Sequence, residues 1–326
     1  MATIYDVAKR AGVSTYTVSS VLNRSAYVSP ELTKRVMEAV RELDYTINDL
    51  ARSLQTRKTR TVGMLIPDIA NPFYAKVVRG VEDVLKNVGY SLILGSTYNS
   101  LEEQTRYIAV FRSKQVDGLL LFVAPGGESE VCSLVEAKKP VVFVGRAPLH
   151  LAADSVTADN TKGVHLAIAH LAAKGHRRIA LINGQAGLSS SADRVTGWRK
   201  ALRKAGLRAP KEYVHHGDWT ASSGYSATLA LLDLPEPPSA IFTANFLMMT
   251  GVLKALQDRQ LKCPRDVEVM SSDDSEWLDV FEPRISTVAQ PSYEMGTEAA
   301  RLLLKRIKEP HRGFEQIVLP PQLMLR

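Results

Sequence analysis

The residues best suited to hold a ligand stand where apolar runs of this chain give out. Phe73 follows "TVGMLIPD" (61–68), Arg146 follows "VVFVG" (141–145), and Ser190 and Arg194 lie just beyond "RIALING" (178–184). Trp219 comes after "YVHHGD" (213–218), Asn245 ends "AIFTAN" (240–245), and Asp273 falls at the end of "VEVMSSDD" (267–274). A planar guanidinium gives paired hydrogen bonds, an aromatic face stacks on a ring, and Asp or Asn takes up hydroxyl groups. Together these types suit a polyhydroxylated or heterocyclic metabolite held by non-covalent contacts. A single Asp after a strand is often only a helix cap, and Asp218 and Asp274 are expected to serve that way.

Covalent and metal chemistry find less support. "PGGESE" (125–130) lacks the spacing and the lysine of a phosphate loop. "GLSSS" (187–191) places Ser191 where a nucleophile elbow requires glycine. His215 and His216 are adjacent in a strand and point to opposite faces, so they cannot share one metal. His176 precedes a strand, at the end away from the expected ligands. The rival reading is a metabolite-processing α/β enzyme with a basic DNA-binding appendage; catalysis, a metal and a cofactor are not expected.

Positioning those residues requires strands. Eight runs read as strands separated by helical stretches: 61–68, 91–97, 116–123 and 141–145, then 178–184, 213–218, 240–245 and 267–274. Two β–α series imply two parallel-sheet lobes, with ligands beyond the carboxyl ends of the strands. The first sixty residues differ. Thr3 and Asp6 form a capping-box pattern before Ile4, Val7, Ala8 and Ala11, and Gly12 provides a left-handed stop. Ser14 opens a second helix over 15–23, with Val18, Val21 and Leu22 inward and Thr15, Tyr16, Thr17, Ser19 and Ser20 outward. Ser29-Pro30-Glu31 starts a third. Three short helices with a tight turn make a helix-turn-helix.

Charge agrees with that division. Residues 1–60 hold ten Lys/Arg against six Asp/Glu, so +4 of the net +7 lies in the first fifth of the chain. A basic N-terminal module points to nucleic acid before membrane. Cys132 and Cys263, the two cysteines, have no metal-ligand spacing, the N-terminus has no signal core, and no run is long enough to span a bilayer. A cytoplasmic protein is expected.

Residues 3–55, "TIYDVAKRAGVSTYTVSSVLNRSAYVSPELTKRVMEAVRELDYTINDLARSLQ", resemble the headpiece of the lac repressor/galactose repressor family of bacterial transcription regulators. "IPDIANPFYAKVVRGVED", "GHRRIALI" and "GDWTASSGY" are similar to its ligand-binding core. The resemblance implies a small all-α helix-turn-helix domain (1–46), a hinge helix and linker (47–60), and a two-lobed periplasmic-binding-protein-like α/β core (61–326). It places lobe one at about 61–160 and 291–320, and lobe two at about 161–290. Chain crossings between lobes are implied near 158–162, 288–292 and 318–322, with the helix at 292–307 returning to lobe one. Carried over by position, Thr15, Tyr16 and Ser20 face bases, while Thr3, Tyr5, Ser14, Thr17, Ser19, Asn23 and Tyr27 hold or orient the phosphate backbone. Leu54 is the minor-groove wedge, and Leu50 and Ala51 pack on a partner hinge. Phe73, Arg194, Trp219, Asn245 and Asp273 fall on the effector positions, and Arg146 and Ser190 border them. Ser20 stands where the family often has Arg or His, Phe246 replaces an acid, and Ser271-Ser272 replace Gly-aromatic. The implied function is a repressor of double-stranded palindromic operators, controlled by a small polar metabolite such as a sugar or sugar derivative. No heptad segment follows "PPQLMLR", so a homodimer is the expected assembly.

Overall fold

A computed structural model describes residues 2–23, 26–45, 58–148 and 151–326. The chain divides into two compact units, Met1–Thr59 and Arg60–Arg326.

The first unit holds three helices. Thr3 caps α1 (Ile4–Ala11): its hydroxyl accepts from the Asp6 amide at 3.3 Å, and its own amide donates to Asp6 Oδ2 at 2.8 Å. That reciprocal pairing holds the Asp6 carboxyl below its usual range. Gly12 ends α1 at φ 62°, and a Cβ there would stand 2.6 Å from Arg35 Nη2. The same guanidinium nitrogen donates to the Ala11 carbonyl at 2.5 Å, so the third helix clamps the turn. Ser14 accepts from the Thr17 amide at 3.1 Å at the start of α2 (Thr15–Asn23). Ser29 caps α3 (Pro30–Glu42), which has proline in its first turn, where the missing N–H costs no hydrogen bond. Val7, Ala8, Ala11, Val18, Val36 and Ala39 are the core, with Ile4, Val21, Leu22 and Val40 packed around it.

The second unit contains two six-stranded sheets. The first runs β11-β5-β4-β3-β1-β2 and the second β12-β10-β9-β8-β6-β7. Lobe one begins with β1 (Thr61–Ile66), α4 (Pro72–Asn87), β2 (Ser91–Ser96) and α5 (Leu101–Ser113). It continues with β3 (Gly118–Leu121), α6 (Glu128–Glu136), β4 (Val141–Val144) and β5 (Asp154–Ala158). Lobe two holds α7 (Asn160–Ala173), β6 (Ile179–Asn183), α8 (Ser189–Lys204), β7 (Val214–His216) and α9 (Ala221–Leu232). After these come β8 (Ala240–Thr243), α10 (Phe246–Asp258), β9 (Glu268–Ser272) and β10 (Thr287–Ala289). The closing elements α11 (Ser292–Lys308) and β11 (Gln316–Leu319) belong to lobe one, and β12 (Gln322–Met324) to lobe two.

The eight apolar runs all contain strands, shorter than the runs at one or both ends. Four further strands (β5, β10, β11 and β12) have no counterpart among them. Pairing is parallel throughout except between β12 and β10. The chain passes between the sheets after β5, after β10 and after β11, and α11 packs along α4 on lobe one. Lobe one buries apolar residues on both faces of its sheet, around Val77, Leu120 and Leu303 on one and Phe111, Leu121 and Phe143 on the other. Trp198, Phe242 and Met270 anchor the core of lobe two. Parallel sheets covered by helices leave their strand ends as the accessible edges, and both lobes direct carboxyl ends toward a common cleft.

Candidate functional site

That cleft is about 460 Å³, counting its mouth, and it gathers Phe73, Arg146, Ser190, Arg194, Trp219, Asn245 and Asp273. Asn71, Tyr74, Phe122, Gly145, Ala244 and Gln290 complete the lining.

Lobe one supplies an aromatic wall. Asn71 caps α4 by accepting from the Phe73 amide at 3.0 Å, which sets the rings just beyond β1. Phe73, Tyr74 and Phe122 meet edge to face, with centroids 5.1, 6.4 and 5.1 Å apart. Burial pushes the Tyr74 hydroxyl up to about 12, so it stays a neutral donor. After β4, Gly145 at φ 73° turns the chain and delivers Arg146, which is only 7% exposed. Its Nη2 donates to Asn99 Oδ1 at 2.8 Å, and its buried Nε has no partner among the described residues.

Lobe two supplies the charged and stacking groups. Ser190 and Arg194 sit in the first two turns of α8, at 7% and 5% exposure. Arg194 donates to the Ser190 carbonyl at 3.5 Å, its one hydrogen bond among the described residues, and its guanidinium carbon lies 5.4 Å from the Trp219 ring centre. Burial lowers the pKa of both arginines, yet an arginine keeps its charge at physiological pH. Trp219 adopts φ 75° and Asp273 φ 71°, left-handed backbones that cost side-chain-bearing residues about 1–3 kcal/mol each. The Trp219 ring covers Gly184, where any Cβ would come within 1.9 Å of it. Asn245 is committed on both sides: its oxygen caps α10 at Met248, and its nitrogen donates to the Trp219 carbonyl at 3.0 Å. Asp273 accepts from Gln290 Nε2 at 2.7 Å, and burial pushes its carboxyl up to about 6 despite Arg194. Trp219 Nε1 is buried without a partner among the described residues. Unused buried donors beside rings form a surface made for a ligand rich in acceptors.

Two expectations need correction. Neither Asp218 nor Asp274 caps a helix itself. Asp218 accepts from the Thr220 amide and hydroxyl, at 3.0 and 2.6 Å, and so steadies the true cap of α9. Asp274 is tied to Arg326 at 2.7 Å and to the Thr287 hydroxyl at 2.6 Å, a structural post. Pattern reading passed over Phe122, hidden in a strand-like run, and Gln290, which lies at a lobe crossing. His176 makes its bonds at the far end of the sheet, to Glu268 at 2.8 Å and Ser239 at 3.0 Å.

On the first unit, Tyr5 and Tyr16 are 74% exposed and Tyr27 is 91% exposed, unusual for large rings. Thr3 and Ser14 are exposed, and Ser14 Oγ lies 3.0 Å from Thr17 Oγ1. Thr15 is half-buried, and Asn23 reaches back to Ser19 Oγ at 3.2 Å. The first turn of α2 carries no acid. Ser20 does not join this face. It is 2% exposed, on the buried side of α2 with Val18. Leu50, Ala51 and Leu54 lie outside the described residues.

A helix-turn-helix unit joined in one chain to a two-lobed α/β binding core defines a ligand-responsive DNA-binding regulator. Residues 3–48 match the model of bacterial regulatory proteins, lacI family, and residues 168–326 match that of the periplasmic binding protein-like domain. The ribose operon repressor of Escherichia coli (strain K12) is 38% identical over all of this chain and 99% of its own length. A transcriptional regulator CelR–cellobiose complex aligns at 35% identity and TM-score 0.74, covering 100% and 99% of the two chains. The lac repressor dimer bound to operator and the anti-inducer ONPF aligns at TM-score 0.86 and 26% identity, covering 100% and 98%. The chain belongs to the lacI family and is a DNA-binding transcription regulator. Among the described residues no helix is long and apolar enough to cross a membrane.

Proposed function

We propose that the cleft between the two lobes holds a sugar or sugar derivative, and that its occupancy sets how tightly the N-terminal unit binds a palindromic operator. The observation carrying this is the convergence of seven side chains from both lobes on one cleft, with Arg146 Nε and Trp219 Nε1 buried there without a partner among the described residues. The cellobiose complex of a 35%-identical regulator supports the sugar class. The protein acts as a homodimeric repressor in the cytoplasm, without catalysis, because a two-fold site is read best by a two-fold protein. Thr15 and Tyr16 face bases. Thr3, Tyr5, Ser14, Thr17, Ser19, Asn23 and Tyr27 hold the backbone, and Leu54, beside Ala51, is the wedge at the centre of the site. Replacing Leu54 with alanine is expected to weaken binding to a selected operator far more than binding to random duplex in fluorescence anisotropy. Equal losses on both duplexes would remove the wedge from the reading.

A further inference from the structure

Asn71 on α4 and Asn245 on α10 close their helix starts at the cleft with their own side chains, Thr220 closes α9 in an adjoining pocket, and α6, uncapped, carries the acids Glu128 and Glu130 in its first turn. The start of α8 is open and free of acid. Leu188 stands at its cap position, no side chain bonds there, and its first turn holds no acid. The leading amides of a helix have no intrahelical acceptor, and the aligned peptide dipoles make that end positive. Gly187, Leu188 and Ser189 border a compartment that also contains Arg146, and Ser190 borders the main cleft beside Arg146 and Arg194.

The two arginines reinforce this open end. Asp273 and Asp193 act on Arg194 through space, and Glu128 acts on Arg146, yet neither guanidinium forms an ion pair among the described residues. Arg146 is more than nine-tenths buried, and its Nε has no partner among the described residues. Buried charges are normally paired or bound to a ligand. Two cations without an ion pair among the described residues, at an uncapped helix start, form a site for an anion, with Glu128 and Asp273 the carboxylates on the same linings.

We propose that the effector carries a carboxylate or a phosphate, bound by Arg146, Arg194 and the first turn of α8, while Asp273, Gln290 and the rings take its hydroxyl-bearing part. This rests on the reading of the cleft as the effector site. The test is thermal unfolding of the full chain in phosphate or formate against chloride at matched ionic strength. A saturable rise in midpoint is expected, and it disappears in Arg146→Gln and in Ser190→Asp, which places a carboxylate of its own at the helix start. Loss in those variants separates the effect from anions on the basic N-terminal unit. A rise with phosphate alone assigns a phosphorylated ligand, and a rise with formate alone a carboxylated one. No saturable rise, or the same rise in both variants, overturns the proposal. Calorimetry with sugar phosphates and aldonates should find them about 10- to 100-fold tighter than their neutral parents, the ratio that one charge-assisted hydrogen bond supplies. A neutral sugar that binds tightly while its acid is ignored would leave the cleft as the effector site and overturn the anionic group.

Discussion

Two places in the second unit bury arginine, and they do so in opposite ways. Arg306 on α11 meets Asp154 at the start of β5 through paired bonds of 2.7 and 3.1 Å, and it donates further to the carbonyls of Pro310, Arg312 and Gly313. Asp154 is fully buried and also accepts from the Glu315 amide at 2.8 Å. This network ties the last helix of lobe one to its sheet. In the cleft, Arg146 and Arg194 are just as buried but have, among the described residues, one side-chain hydrogen bond each. Satisfied polar groups fix a fold, whereas unsatisfied ones at a cleft reserve their capacity for something that arrives later.

Breaking the satisfied network should give the largest effect. Asp154→Ala strands a buried guanidinium and is expected to destabilise the second unit by about 3–5 kcal/mol in urea unfolding. A loss below 1 kcal/mol would erase the contrast between the two sites. Asp273→Asn should act in the other direction. A carboxyl with a folded value of about 6 against 3.8 prefers its proton in the folded state, so above pH 6 its ionisation opposes folding. The variant should be more stable than the parent by up to about 3 kcal/mol at pH 7.5. That advantage should shrink as pH falls from 6 toward 3.8, where the parent carboxyl is neutral as well. An advantage constant across that window would mean that the carboxyl is not held up by burial. Thr3→Ala, which removes the α1 cap, should cost only about 1 kcal/mol, seen as faster amide exchange confined to the first unit.

What could be read from residues alone follows the same division. The caps at Thr3, Ser14 and Ser29 were legible because capping is local chemistry, written within four residues. The eight strand runs were legible because a parallel sheet buries both faces and so demands continuous apolar sequence. β5, β10, β11 and β12 escaped because they stand at or after the points where the chain crosses between lobes, outside the two β–α series. Gln290 escaped with β10, since a residue at a lobe crossing belongs to neither series of strand ends. Ser20 was misplaced because helical spacing in a nine-residue helix does not show which positions the neighbouring helices cover. The open start of α8 was equally hidden: Leu188 looks like any apolar loop residue until it stands at a cap position beside Asn71 and Asn245, which close theirs.

Occupancy of the cleft is expected to govern DNA binding. Its most direct test is operator affinity, measured by fluorescence anisotropy with and without a ligand found by thermal-shift screening of sugars and their acids, in the parent and in Arg194→Ala. The parent should change affinity by about 5- to 150-fold on adding ligand. Arg194→Ala should bind operator as the parent does without ligand and show no change when the ligand is added. A variant that keeps the full ligand response would contradict the account.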